Sequence, residues 1–124
     1  MEFIPAESIE TFASAGIESR QLLFPENSSS SRLTITQVKL APGATNSRHT
    51  HTTSEQVWVA LQGRGTLLLA DGAVRSFAAG DVARFEDGDV HGLHNTGVEP
   101  FIYFAVTSPP LNFRAAYTRT VDKA

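Results

Sequence analysis

The chain has no cysteine among its 124 residues. That absence removes thiolate catalysis, Cys-ligated zinc, iron–sulfur clusters and any disulfide framework. Positive charge is also scarce, with 10 Lys and Arg against 13 Asp and Glu and a formal net charge of −3. Scattered as they are, these cations form neither the stripe of a nucleic-acid groove nor the patch that an anionic membrane surface would hold. Long apolar runs are missing too, since no stretch approaches the ~20 apolar residues of a membrane span. The opening MEFIPAESIETFASAG carries acids where a secretory signal needs positive charge and then a continuous apolar run. A soluble, cytoplasmic protein with small-molecule partners is the expectation.

What is present is enough for a core. At 41% hydrophobic residues over 124 positions, one domain spanning 1–124 can bury its interior without covalent staples. Gly43, Gly63, Gly65, Gly72, Gly80, Gly88, Gly92 and Gly97 crowd the middle of the chain. Between them lie short runs rich in β-branched and aromatic residues: Arg32–Leu40, Gln56–Leu61, Thr66–Ala70, Val74–Phe77, Val82–Phe85 and Phe101–Thr107. These are too short for helices and predict an all-β sandwich or barrel. Asp71-Gly72 predicts a tight hairpin, because primed turns favour both residues. In Arg32–Leu40 the apolar parity changes from Leu33 and Ile35 to Val38 and Leu40, which predicts a bulge near Gln37.

The ends are less patterned. Ser8 suits the cap of a one-turn helix carrying Ile9 and Phe12, with a strand or a loop as alternatives. Ser28–Ser31 reads as a loop, and Asn27-Ser28-Ser29 matches a glycosylation sequon without a secretion signal to give it meaning. Pro109-Pro110 should end the last strand, and the tail with Phe113 and Tyr117 should pack back on the body.

All four histidines, His49, His51, His91 and His94, fall in one stretch. His49-Thr50-His51 is the informative pair. Residues two apart point away from each other on a helix but share a face in extended structure, so this spacing chelates one ion only where the chain is extended, as the surroundings suggest. With no thiolate available, neutral imidazoles point to Mn, Fe, Co, Ni, Cu or Zn. Taken alone, the pair is also what two surface histidines in a Thr/Ser loop would look like.

The spacing on either side extends the pattern. Gly43, His49, His51, Gln56 and Gly63, followed by Gly80, Gly88, His91 and Asn95, resemble the two sequence motifs of the cupin superfamily, at 43–63 and 80–95. Glu86 stands where that family usually has proline, a departure that touches the turn before His91. The resemblance covers roughly 32–107. It implies a double-stranded β-helix, the jelly-roll barrel of small single-domain cupins, with short extensions at both ends. It also implies that His49, His51, Gln56 and His91 point inward and share one divalent transition metal per subunit. Counting back from Gly63 puts Gln56 rather than Glu55 at the motif position of that family, and strand alternation then places Trp58 and Ala60 on the same face and Glu55, Val57, Val59 and Leu61 on the other. Glu55 would become the fourth ligand only if a bulge reversed that parity.

Around such a centre, Trp58 is a candidate pocket wall, with ordinary core filling as the alternative. Arg84 as an anion clamp and Tyr103 as a proton donor are further candidates, against surface and core positions respectively. His94 matches no ligand position, and Asn95 suits a turn. Three imidazoles and an amide are neutral ligands, so the ion would keep its double charge and favour anionic groups. Val57–Leu61 and Phe101–Val106 are apolar on both faces, which predicts a homodimer. A metal-dependent isomerase, cyclase or lyase acting on a small oxygenated substrate is the expected function. An iron-dependent dioxygenase and a non-catalytic metal-containing ligand-binding or sensory module are the alternatives.

Overall fold

The computed structural model describes residues 1–117, and nearly all the regular structure in them is strand. The strands are β1 (Glu10–Ser14), β2 (Ile17–Leu23), β3 (Thr34–Leu40), β4 (Thr45–His49), β5 (Glu55–Gln62), β6 (Arg64–Leu68), β7 (Val74–Ala78), β8 (Val82–Phe85), β9 (His91–His94) and β10 (Phe101–Ser108). They form two antiparallel sheets, one in the order β1-β2-β3-β10-β5-β8 and the other β4-β9-β6-β7. This is the expected all-β double-stranded β-helix. No helix among the described residues is long and apolar enough to cross a membrane.

Alternation along the strands decides what lies between the sheets. On β5, Gln56, Trp58 and Ala60 are buried while Val57 and Val59 are only half-buried. On β10, Phe101, Tyr103, Ala105 and Thr107 face inward. With Leu40, Leu67, Phe77, Phe85 and Leu93 they make the core.

Two expectations need correction, and a third, at Ser8, is met by its strand alternative. Strand β3 carries no bulge near Gln37: its pairing with β10 runs unbroken from Thr34 to Leu40. Thr34 and Thr36 point inward with Val38 and Leu40, so the parity never changes, and the irregularity lies opposite, between Gln21 and Leu23 of β2. The Ser8 region is a single 3₁₀ turn, Ala6–Ser8. The chain then becomes strand, because Gly16 at φ 75° turns β1 back onto β2 and Phe12 alternates into the interior. Asp71 and Gly72 do adopt positive φ, but pairing stops at Leu68 and Val74. The hairpin is therefore a wider loop, closed by Leu69 N–H donating to Ala73 O at 2.8 Å.

Other expectations hold. Ser28–Ser31 are loop, and β10 ends at Ser108, just before Pro109-Pro110. Asn27 has its own structural task, accepting Phe24 N–H at 2.8 Å. The tail packs back, with the Tyr117 ring 5.7 Å from that of Phe12.

Candidate metal centre

His49 is the last residue of β4, and His51 lies just beyond it in the loop leading to β5. His91 opens β9 and pairs directly with His49. That pairing brings the two motifs together, and the ligand-capable atoms of His49, His51 and His91 all lie within 4.8 Å of one another. Ring centroids are 5.0 Å apart for His49 and His51, 4.3 Å for His49 and His91, and 5.1 Å for His51 and His91.

Backbone contacts set the rings. His49 Nδ1 lies 2.7 Å from Ser47 O and His91 Nδ1 2.9 Å from Asp89 O. A carbonyl only accepts, so each Nδ1 carries the proton and the Nε2 lone pair of the neutral ring is directed elsewhere. His91 Nε2 and His51 Nε2 are buried without a hydrogen-bond partner. Buried acceptors are normally satisfied, and imidazole nitrogens oriented in this way by carbonyls are the usual preparation for a metal. The three residues therefore fit a divalent ion.

Burial disfavours the charged form of His91 and His51. It pushes His91 down to about 4 from its ordinary 6.5, against the opposing hydrogen bond that the ring donates to Asp89 O. His51 is lowered chiefly by burial and then by its neighbour His49.

The turn before His91 works without proline. Glu86 N–H donates to Asp89 Oδ2 and Asp89 N–H donates to Glu86 O, both at 2.9 Å. Gly88 takes φ 85°, a conformation unfavourable for side-chain-bearing residues. Its N–H donates to His51 O at 2.9 Å, tying one motif to the other. Gly92, whose role the spacing did not suggest, permits the strands to approach: a Cβ there would lie 2.7 Å from Asn46 O and 2.9 Å from Arg48 N.

Gln56 is buried on the inner face, and its amide is fixed at both ends. Its Nε2 donates to Thr107 Oγ1 and its Oε1 accepts Trp58 Nε1–H, each at 2.9 Å. One lone pair of Oε1 is left. Glu55 is on the opposite face, its side chain 46% exposed and 2.9 Å from Arg84. From Glu55 to Ala60 the alternation is thus unbroken, the register shift with β10 falling beyond it at Leu61, and Glu55 is absent from the histidine cluster.

Trp58 is 1% exposed, with its ring 5.4 Å from His91, 4.9 Å from Phe85 and 4.7 Å from Tyr103. Phe85 stacks on His91 at 4.6 Å and 14°. Tyr103 is a core residue whose hydroxyl accepts from Asn46 Nδ2 at 3.2 Å, and burial raises its pKa. Arg84 occupies the surface, reaching Glu55 and, at 3.8 Å, Glu86. His94 pairs with Thr45 and Thr66 outside the cluster. Asn95 ties a turn, donating to Leu40 O and Glu99 O and accepting Gly97 N–H.

Residues 36–107 match the family model described as Cupin domain, so the chain belongs to the cupin family. Its fold is shared with solved structures. KdgF from a Halomonas species is 21% identical with a TM-score of 0.73, over 89% of this chain and 96% of that one. A predicted oxalate decarboxylase from Thermotoga maritima is 23% identical with a TM-score of 0.74, over 87% and 99%. The polyketide cyclase RemF from Streptomyces resistomycificus is 18% identical with a TM-score of 0.74, over 87% and 79%. No curated protein sequence matches the chain.

Proposed function

We propose that this cupin is a metal-dependent enzyme for a small oxygenated, anionic substrate, with His49, His51, His91 and Gln56 holding one divalent ion. The observation that carries the reading is the convergence of three imidazoles, two with buried Nε2 atoms that have no hydrogen-bond partner. When bound, the ion supplies Lewis acidity that polarises a carbonyl, enol or carboxylate oxygen and eases proton transfer, as in isomerisation, cyclisation or lyase chemistry. The chain contributes orientation and dryness. Ser47 and Asp89 hold the tautomers, Thr107 and Trp58 aim the Gln56 amide, and Phe85 and Trp58 exclude water around His91. All the proposed ligands are neutral, which favours an anionic ligand. The same class of chemistry suits what the names of RemF, a polyketide cyclase, and of a sugar phosphate isomerase from Silicibacter pomeroyi, 24% identical, say of those proteins.

A homodimer belongs to this reading. The outer face of the six-stranded sheet presents half-buried Val57, Val59, Ile102, Phe104 and Val106, flanked by Leu61 at 43% and Val82 at 64% exposure. A second subunit would cover such a face. A non-catalytic ligand-binding module is the second reading, favoured by one observation. The rings packed on the histidines from outside the cluster, Trp58, Phe85 and Phe113, carry no acid or base for proton transfer.

Metal analysis of protein purified without an affinity tag, paired with turnover of sugar acids and polyketide-like carbonyl compounds with and without O₂, tests the reading. Turnover with zinc, nickel or manganese independent of O₂ is expected. Iron with O₂ consumption would replace the reading with a dioxygenase, and ligand binding without turnover would favour the second.

A further inference from the structure

The tail beyond β10 does more than pack on the body. Its base is stitched to the barrel near the histidines: Ser54 Oγ donates to Pro109 O at 2.9 Å, and Thr34 Oγ1 donates to Leu111 O at 3.1 Å while accepting Leu111 N–H at 3.2 Å. Phe113 then lies against the cluster, its ring centroid 5.8 Å from that of His51 at 63°. One residue further, Arg114 is clamped between two carboxylates of the N-terminal strands and the loop after them. Its Nε and Nη2 reach the two oxygens of Glu26 at 2.8 and 2.7 Å, and Nη2 also reaches Glu10 at 2.8 Å. The guanidinium sits 4.7 Å over the Phe12 ring. Asn112 Nδ2 adds a bond to Glu26 at 2.8 Å. A bidentate arginine fork is geometrically specific as well as attractive.

A ring against a ligand, followed directly by a fork, is the arrangement of a wall with a latch. We propose that residues 112–117 form a latched cover over the histidine centre, in which Phe113 is the site wall next to His51 and Arg114, held by Glu10 and Glu26, keeps it closed. Ions and small molecules reach His51 when the fork lets go. The fork is the weak link because Arg114, Glu10 and Glu26 have side chains 41%, 47% and 42% exposed, where water and salt compete with ion pairs. The stitches run from Ser54 and Thr34, which are buried and uncharged, so the segment pivots about its base when the tip is freed. Access to the centre therefore rises with ionic strength. The part of the inference that concerns metal rests on the centre proposed above.

Two rates test it. In metal-free protein, carbethoxylation of His51 by diethylpyrocarbonate, followed by peptide mass mapping, reads access without any metal. In zinc-loaded protein, transfer of zinc to a colorimetric chelator reads the same opening. The double variant Glu10→Gln, Glu26→Gln should accelerate both by about three- to ten-fold, the range that two partly exposed ion pairs allow. Phe113→Ala should do so by roughly ten-fold, with Phe113→Leu intermediate as a check that the fold survives. Raising salt until the Debye length shrinks from about 30 to 3 Å should speed the parent and leave the double variant nearly unchanged. Rates within two-fold of the parent in both the double variant and Phe113→Ala overturn the cover. If the parent binds no zinc while His51 modification still accelerates, the cover stands and the proposed metal centre falls.

Discussion

The two arms of the histidine cluster are built from opposite materials. His91 is 1% exposed, stacked on Phe85 and edge-on to Trp58, so it is part of the core. His49 and His51 are half-buried, one ending a short strand and the other in a loop held by Gly88 and Phe113. A site assembled in this way has one fixed point and one adjustable side. Stability should depend on the first and access on the second.

Replacing the histidines one at a time in metal-free protein sharpens that contrast most strongly. His91→Ala should destabilise by about 2–4 kcal/mol, the cost of a cavity under a stacked ring, whereas His51→Ala should cost less than ~1 kcal/mol. Chemical denaturation reads both, and equal losses would erase the distinction between the arms. Gly92→Ala comes next. Its Cβ would collide with backbone rather than with a flexible side chain, so a loss of about 1–3 kcal/mol is expected, together with weaker metal binding as the His49 strand shifts.

Acid should act through the buried arm. The unfolded His91 ring takes up its proton near 6.5, but the folded one resists until about 4. Between those values the unfolded state binds more protons, so the contribution is fully present above 6.5 and is lost as pH falls through 4. Thermal midpoints of metal-free protein should drop over that interval, and His91→Ala should flatten the slope. An unchanged slope would mean another group dominates.

Smaller effects separate the two faces of β5. Thr107→Val removes the acceptor of the Gln56 amide, which should cost about 1 kcal/mol and weaken metal affinity by roughly ten-fold through misorientation of Gln56. Glu55→Gln touches an exposed pair and should stay within ~0.5 kcal/mol, with metal affinity unchanged by calorimetric titration.

The same contrast explains what could be read from the amino-acid sequence. Between 55 and 108, β5 to β8 and β10 lie between glycines in runs rich in β-branched and aromatic residues, and the motif position counted back from Gly63 set the inward face of Gln56 and Trp58, so both were legible, whereas β9 was not marked by its composition. The other end of the large sheet has a polar inner surface, with Ser19, Gln21, Thr34 and Thr36 all buried. Hydrophobic parity is blind there. It set Leu33 and Ile35 on the opposite parity to Val38 and Leu40, placed a bulge near Gln37, and left β1 and β2 unassigned. The convergence of His49, His51 and His91 was legible because both motif segments carry fixed local spacings. Phe113 against His51, Gly92 beneath β4 and the Arg114 fork were not, since each joins segments far apart in the chain and leaves no periodic trace.

Metal occupancy after single alanine replacements tests the central claim most directly. Tag-free protein equilibrated with zinc and dialysed should retain about one ion per chain, as expected for a single site with open positions. His91→Ala should retain none, and His94→Ala should match the parent. Full occupancy in His91→Ala, with loss in His94→Ala, would contradict the account.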